Sequence, residues 1–379
     1  MLPSVGKKLL SLIVVIFLFI VFGMITGRGL QYSSFSSPLI FGIIFFFYFN
    51  REFNYNTKSY HKFISNIYKI LIIGFLIEVI FNIISPDYLY ELLSTREVGG
   101  YEKVRGKIVT LLSLSSVERV IVNVNSFYLG VQSASIVSLS ALIWFFPFYG
   151  NHYHKTNNKI WFILSIIFFI YTFNFTSIVM FFSWILLSIL LLPNSRKNLF
   201  SFSLLTVPFI IIGSYNFFSR SFVMTFGETP WKHYIYTFSE IVYSFFSKLP
   251  NFSKFFGIPG NVSIGEYTLT HEFGYFIILM KLGFVYVSII LFLNIKELVL
   301  AKKISNNSYI TFMTKLNLII FSIWHISLIH YHPALKTGPA QLFGLHIAIY
   351  LLYSKYNIQI TKYFADNKLS NHNFIKNNN

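Results

Sequence analysis

His271 and Glu272 stand side by side where an apolar run begins, and that run leads on through Lys281, Leu282 and Gly283. An imidazole next to a carboxylate suits acid–base work or hydrogen bonding to sugar hydroxyls. The pair is not a zinc-protease signature, because position 275, where a second histidine would be required, is Tyr275. A His–Glu pair marking the polar end of a membrane helix fits the same residues. Arg28, Arg96, Arg105, Arg119 and Arg220 all stand in segments read as external. A guanidinium has the fork geometry that phosphate and pyrophosphate oxygens fit. Lipid headgroup contact, or pairing with a nearby glutamate, is the plainer role for each. Arg119 follows Ser115-Ser116-Val117-Glu118, a capping-box pattern that starts a helix, and precedes Asn123 and Asn125.

Missing residue types narrow the chemistry. There is no cysteine, which excludes disulfides, thiol catalysis and thiolate-bound metals. Aspartate occurs only as Asp87 and Asp366, so no Asp-x-Asp motif for a metal-bound nucleotide sugar exists. His325, His330 and His332 fall near one helix end, and with few acids nearby they read as interfacial histidines in preference to a metal site. No metal and no cofactor is expected.

The elements that must position these residues are membrane helices. Hydrophobic residues make up 55% of the 379, aromatics 20% and charged residues 11%, against about 25% charged in an average soluble domain. Runs of roughly 17–25 apolar residues can cross a bilayer as helices. About ten segments qualify, twelve at most: 9–26, 34–50, 67–85, 125–147, 159–174, 176–193, 199–217, 273–294, 314–331 and 340–354. The fifth and sixth are divided at Asn174-Phe175-Thr176, read as a tight hairpin. The expected fold is an all-α polytopic membrane protein, a single domain over 1–356 with a solvated, partly disordered tail over 357–379. No internal repeat is visible.

The formal net charge of +17 serves as a topology signal. With the N-terminus inside, the inner helix ends hold 18 basic residues against three acidic ones, and the outer segments 11 against nine. That asymmetry follows the positive-inside rule and places both termini on the cytoplasmic side of the membrane. No stretch is long and polar enough to make a nucleic-acid surface. Two outer segments are long, 86–124 and 218–272, and they mark the working face.

The second long loop contains an amphipathic helix. Trp231, Ile235, Phe238, Val242, Phe245 and Leu249 recur at steps of three and four, opposite Lys232, His233, Tyr236, Glu240, Ser244 and Lys248. Thr229-Pro230 suits its start and Pro250 its stop. Phe256-Gly257-Ile258-Pro259-Gly260 then reads as a turn. Two charges stand within helical windows, Glu78 and Lys281. At 1.5 Å per residue they lie about 10 and 13 Å below the outer surface, so they are expected to pair under the outer cavity.

This layout resembles the O-antigen polymerase and ligase superfamily over roughly residues 110–295. The similarity runs from Arg119 to Asn125 ahead of a middle helix, through the hairpin Thr172-Phe173-Asn174-Phe175-Thr176-Ser177. It ends with a large loop closing on Gly257, Gly260, His271-Glu272 and Gly283. Where the family has an arginine ahead of the loop tryptophan this chain has Glu228, which leaves Arg220 as the loop arginine. The resemblance implies polymerisation of undecaprenyl-pyrophosphate-linked oligosaccharide repeat units by metal-independent glycosyl transfer at the periplasmic face. It implies Arg119 and Arg220 as pyrophosphate clamps and Glu272 or His271 as the base. Arg105, Asn125, Trp231, Lys232, His233, Gly257 and Gly260 would then bind substrate. Partners would be the lipid-linked oligosaccharides, the bilayer, and flippase and chain-length regulator proteins. A ligase moving the chain to lipid A core shares this layout, and a lipid-linked oligosaccharide flippase is the alternative from a different class.

Overall fold

The structure is a computed structural model. It describes residues 8–14, 16–17, 21, 33–52, 57–84, 131–147, 149, 158–172, 175–204, 206–207, 239, 242–243, 246–247, 251–256, 263–264, 267–268, 274–303, 309–327 and 340–355. Helix α1 is the helical stretch within 8–21, followed by α2 (Ser33–Glu52), α3 (Thr57–Ile84), α4 (Val131–Phe145), α5 (Lys159–Tyr171) and α6 (Phe175–Leu191). A 3-10 turn, Pro193–Ser195, leads into α7, helical within 196–207. Then come α8 (Asn251–Phe256), strands β1 (Ser263–Ile264) and β2 (Tyr267–Thr268), α9 (Gly274–Lys302), α10 (Tyr309–Ser327) and α11 over 340–355. Every apolar window of the sequence holds helical residues, and the long fifth and sixth windows are divided, α5 ending at Tyr171 and α6 beginning at Phe175. Phe175 and Thr176 thus lie in the helix and not in the expected break.

Among the described residues, three helical stretches are long and apolar enough to cross a membrane: Tyr60–Ile77, Gly283–Lys302 and Tyr309–Ser327. Shorter apolar helices are Pro38–Asn50, Ala134–Phe145, Lys159–Ile170 and Ser177–Leu191. Their surfaces carry the same message. Ile70, Ile73, Ile77 and Ile80 of α3 are exposed, as are Ile160, Ile163, Ile167 and Ile170 of α5 and Phe292, Ile295 and Val299 of α9. Steps of three and four put each set on one helix face. In water such stripes would aggregate, whereas in lipid they match the solvent. The chain is an all-α membrane protein in its membrane-suited elements.

Polar groups, conversely, lie inside. From Ala134 to Phe146 every residue of and just after α4 is buried, as is every residue of α10 from Thr311 to Ile320. Helix α4 packs against α3, α5, α6 and α10, and α10 also meets α6 and α9. Ala134, Ser135, Ser138, Ser140 and Ala141 keep α4 thin, so neighbouring backbones approach closely. Its hydroxyls are used: Ser138 Oγ meets Thr172 Oγ1 at 2.9 Å, and Ser140 Oγ accepts the Trp324 indole N–H at 3.0 Å. Trp144 donates its indole N–H to Ser65 Oγ at 2.9 Å, which satisfies a buried donor. Helices α2 and α11 cross at Gly42 and Gly344, where a Cβ on Gly344 would stand 2.5 Å from Phe41 Cβ and 2.8 Å from the Gly42 nitrogen.

One end of the bundle gathers alternate helix ends. Lys8 at the start of α1 bonds Glu297 near the end of α9, and Lys355 at the end of α11 bonds Asn50 Oδ1 near the end of α2 at 2.7 Å. Tyr60 in α3 donates to the Phe49 carbonyl at 3.2 Å, and His61 contacts Tyr309 at the start of α10. Tyr149, just past α4, contacts Phe312 and receives Ser195 Oγ on its carbonyl at 2.7 Å. These are ends that the lysine count assigns to one side of the membrane.

Several boundaries differ from expectation. Helix α3 starts at Thr57, ahead of the expected residue 67, because its polar first turns extend the apolar window. Helix α9 runs on to Lys302 but is broken at Gly283. The segment 218–272 is not plain loop. Residues 239, 242–243 and 246–247 are helical, in keeping with the amphipathic helix, and β1 pairs antiparallel with β2 in the register Ser263↔Thr268, Ile264↔Tyr267. The loop 86–124 and the tail 357–379 lie outside the described residues.

Candidate functional site

Arg105, Arg119, Asn125, Arg220, Trp231, Lys232, His233, Gly257, Gly260, His271 and Glu272 all lie outside the described residues. So do Arg28 and Arg96, and so do the side chains of Glu78 and Lys281. What is described is the frame around His271 and Glu272: strand β2 ends at Thr268 and α9 begins at Gly274. The two-residue link between the strands is Gly265-Glu266, a sequence suited to a tight hairpin with glycine first.

Ahead of that hairpin, the chain is anchored on the break in α9. Gly283 has φ 76° and ψ 171°, a backbone region essentially closed to residues with a Cβ. A Cβ there would collide with the Phe255 carbonyl and stand 2.5 Å from the Phe256 nitrogen. Helix α8 therefore packs on bare backbone at the break. Lys254 in α8 reaches back, donating to the Phe246 carbonyl at 2.7 Å and to Asn251 Oδ1 at 3.3 Å. An ammonium at the last carbonyls of a helical stretch is electrostatically favourable. The Phe246 and Phe284 rings, 6.4 Å apart, join the same stretch to the far side of the break. Broken helices in membranes persist where they are buried in protein or line a cavity.

The break falls two residues after Lys281, whereas its expected depth of about 13 Å assumed one unbroken helix. Nor are Glu78 and Lys281 the only charges in helices, since Glu297 lies within α9 and Lys315, only 1% exposed, within α10.

Three polar clusters occupy the bundle. In the first, Asn317 donates its amide to the Met313 carbonyl at 2.8 Å, which turns its Oδ1 toward His346 Nδ1 at 2.8 Å. Oδ1 can only accept, so Nδ1 carries the proton and Nε2 accepts from the Tyr68 hydroxyl at 2.5 Å. In the second, Asn294 Nδ2 meets His325 Nδ1 at 2.5 Å and Asn294 Oδ1 accepts from Ser322 at 3.0 Å. His325, expected at an interface, is buried because this amide receives it. In the third, Lys8 Nζ donates to Glu297 Oε2 at 2.6 Å and to the Tyr350 hydroxyl at 2.7 Å, and that hydroxyl donates to the same carboxylate. The Lys8 and Glu297 side chains are 8% and 17% exposed.

A cavity of about 260 Å³ runs between the second and third clusters, with Leu12, Leu39, Leu293 and Ile347 among its walls. At the basic end of the bundle, burial pushes the Tyr149 phenol well above its ordinary range. It stays protonated, donating to the Ile143 carbonyl at 3.1 Å and accepting from the Trp184 indole at 3.1 Å. No group of three metal-ligating side chains occurs among the described residues; His330 and His332 lie outside them.

A tally of charges passes over Asn294, Asn317, Ser322 and His346, which are neutral. The available signal was their position inside otherwise apolar windows, where a polar side chain needs a partner. Comparison with protein-family models, curated proteins and solved structures finds no match to this chain.

Proposed function

We propose that this chain polymerises undecaprenyl-pyrophosphate-linked oligosaccharide repeat units into a surface polysaccharide at the periplasmic face of a bacterial inner membrane. The acceptor sugar hydroxyl attacks the anomeric carbon of the donor chain, forming a glycosidic bond as the bond to lipid pyrophosphate breaks. Glu272 or His271 takes the hydroxyl proton. Arg119 and Arg220 neutralise the charge that develops on the departing pyrophosphate. What supports the reading is the docking of α8 on the Gly283 break, which ties the large loop to the helix that follows His271-Glu272. Deleting the gene tests it: lipid A core capped by one repeat unit is the expected product. Bare core with lipid-linked long chains would instead identify a ligase.

A second reading has its own support. A lipid-linked oligosaccharide flippase needs polar groups through its interior, and the clusters around Asn294, His346 and Glu297 supply them. Its deletion would leave no surface repeat units at all.

A further inference from the structure

The cavity between α1, α2, α9 and α11 is set out like a site for a lipid. Its walls come from Leu12, Leu39, Leu293 and Ile347, while Lys8, Lys296 and Glu297 border it on the side where basic helix ends gather. Lys8 and Glu297 neutralise each other. Among the described residues no carboxylate pairs with Lys296, which is exposed. The slot is thus mainly apolar, with the neutral polar groups of Ser11, Asn294 and His325 also in its lining, and among the described residues Lys296 is the ammonium at its edge that no carboxylate offsets.

Position makes lipid the natural occupant. Helices α1 and α9, which flank the slot, expose Leu10 and Phe17, and Phe292 and Ile295, on their outer faces. Exposed apolar side chains of this kind match hydrocarbon, so the slot lies at the rim of the bundle within lateral reach of the bilayer. Apolar cavities of about 150 Å³ already take up benzene; at about 260 Å³ this one has room for a run of methylenes. Basic pockets between membrane helices collect anionic headgroups. We propose that this cavity holds one chain of a phosphate-headed anionic membrane lipid, with its phosphate on Lys296. The site is distinct from the loop residues assigned to glycosyl transfer and does not depend on that assignment.

Full-length protein extracted in dodecyl maltoside tests this. Native mass spectrometry would follow retention of dioleoylphosphatidylglycerol, dioleoylphosphatidylcholine and undecaprenyl phosphate, with inorganic phosphate as a competitor. One anionic lipid per chain is expected, with phosphatidylcholine held more weakly and inorganic phosphate without effect. Whichever of phosphatidylglycerol and undecaprenyl phosphate is held more tightly names the source. Leu293→Trp fills the slot without altering charge and should abolish retention. Lys296→Gln, at an exposed position, should weaken it about fivefold, the effect of one basic side chain near an anionic surface. Lys296→Gln still reads out the site if Leu293→Trp fails to fold. Unchanged retention in Lys296→Gln, equal retention of phosphatidylcholine, or displacement by inorganic phosphate would overturn the proposal.

Discussion

Phe255 and Gly283 touch backbone to backbone: the Phe255 carbonyl fills the space that a Cβ on Gly283 would take. Gly283→Ala therefore meets two penalties at once, a φ of 76° that alanine avoids and a collision with α8. Backbone strain of this kind costs about 1–3 kcal/mol, enough to lift α8 from the break. Limited proteolysis around residues 257–262 should accelerate in this variant, and an unchanged cleavage rate would mean that α8 does not dock there.

Lys8 and Glu297 form a largely buried pair, so each single removal strands a charge. Lys8→Met and Glu297→Gln should each cost about 2 kcal/mol, between the values for exposed and fully buried pairs. The double variant should cost less than the sum of the two. Thermal unfolding in detergent reads all three, and strict additivity would show that the pair is not formed.

His346 depends on partners from two other helices. Asn317→Leu removes the acceptor for its Nδ1 proton, and Tyr68→Phe the donor to Nε2. Losing a partner of a buried polar group costs about 1–3 kcal/mol. Coupling between the two substitutions of about 0.5–2 kcal/mol is expected, as for interhelical hydrogen bonds in membranes. A double-mutant cycle by thermal unfolding measures it.

Arg119→Ala and Arg220→Ala should each shorten the polysaccharide to single repeat units while the protein remains inserted. Loss of one electrostatic contact to a developing charge lowers rate by about 10²–10³. Wild-type chain length in both variants, read on a glycan gel, would remove them from the clamp.

Topology can be read cleanly because the chain has no cysteine. A membrane-impermeant maleimide should label Ser94→Cys in intact spheroplasts, but Ser370→Cys only after permeabilisation. The opposite pattern would invert the proposed orientation and with it the working face.

Much of the frame was legible in the sequence. The long apolar stretch divides into α5 and α6 as expected, since no single crossing needs so long an apolar run, but the division falls ahead of Phe175, and Phe175 and Thr176 belong to α6. The Gly265-Glu266 hairpin was visible in principle, with Ile264, Tyr267 and Thr268 as good strand formers beside it, yet so short a ladder gives almost no periodic signal. The break at Gly283 was not legible, because an isolated glycine inside an apolar run reads the same whether the helix continues or stops.

The sequence by itself determined the helical, membrane-embedded class. Apolar windows separated by lysine-bearing gaps have one economical solution in a bilayer, where every backbone group must bond within its own helix. Only the tertiary structure decided which polar side chains meet. Lys8 finds Glu297 across 289 positions and Tyr68 finds His346 across 278. Such pairs follow from which helix faces pack together, and that is set by the fit of small residues such as Gly42 against Gly344, which hydropathy does not register.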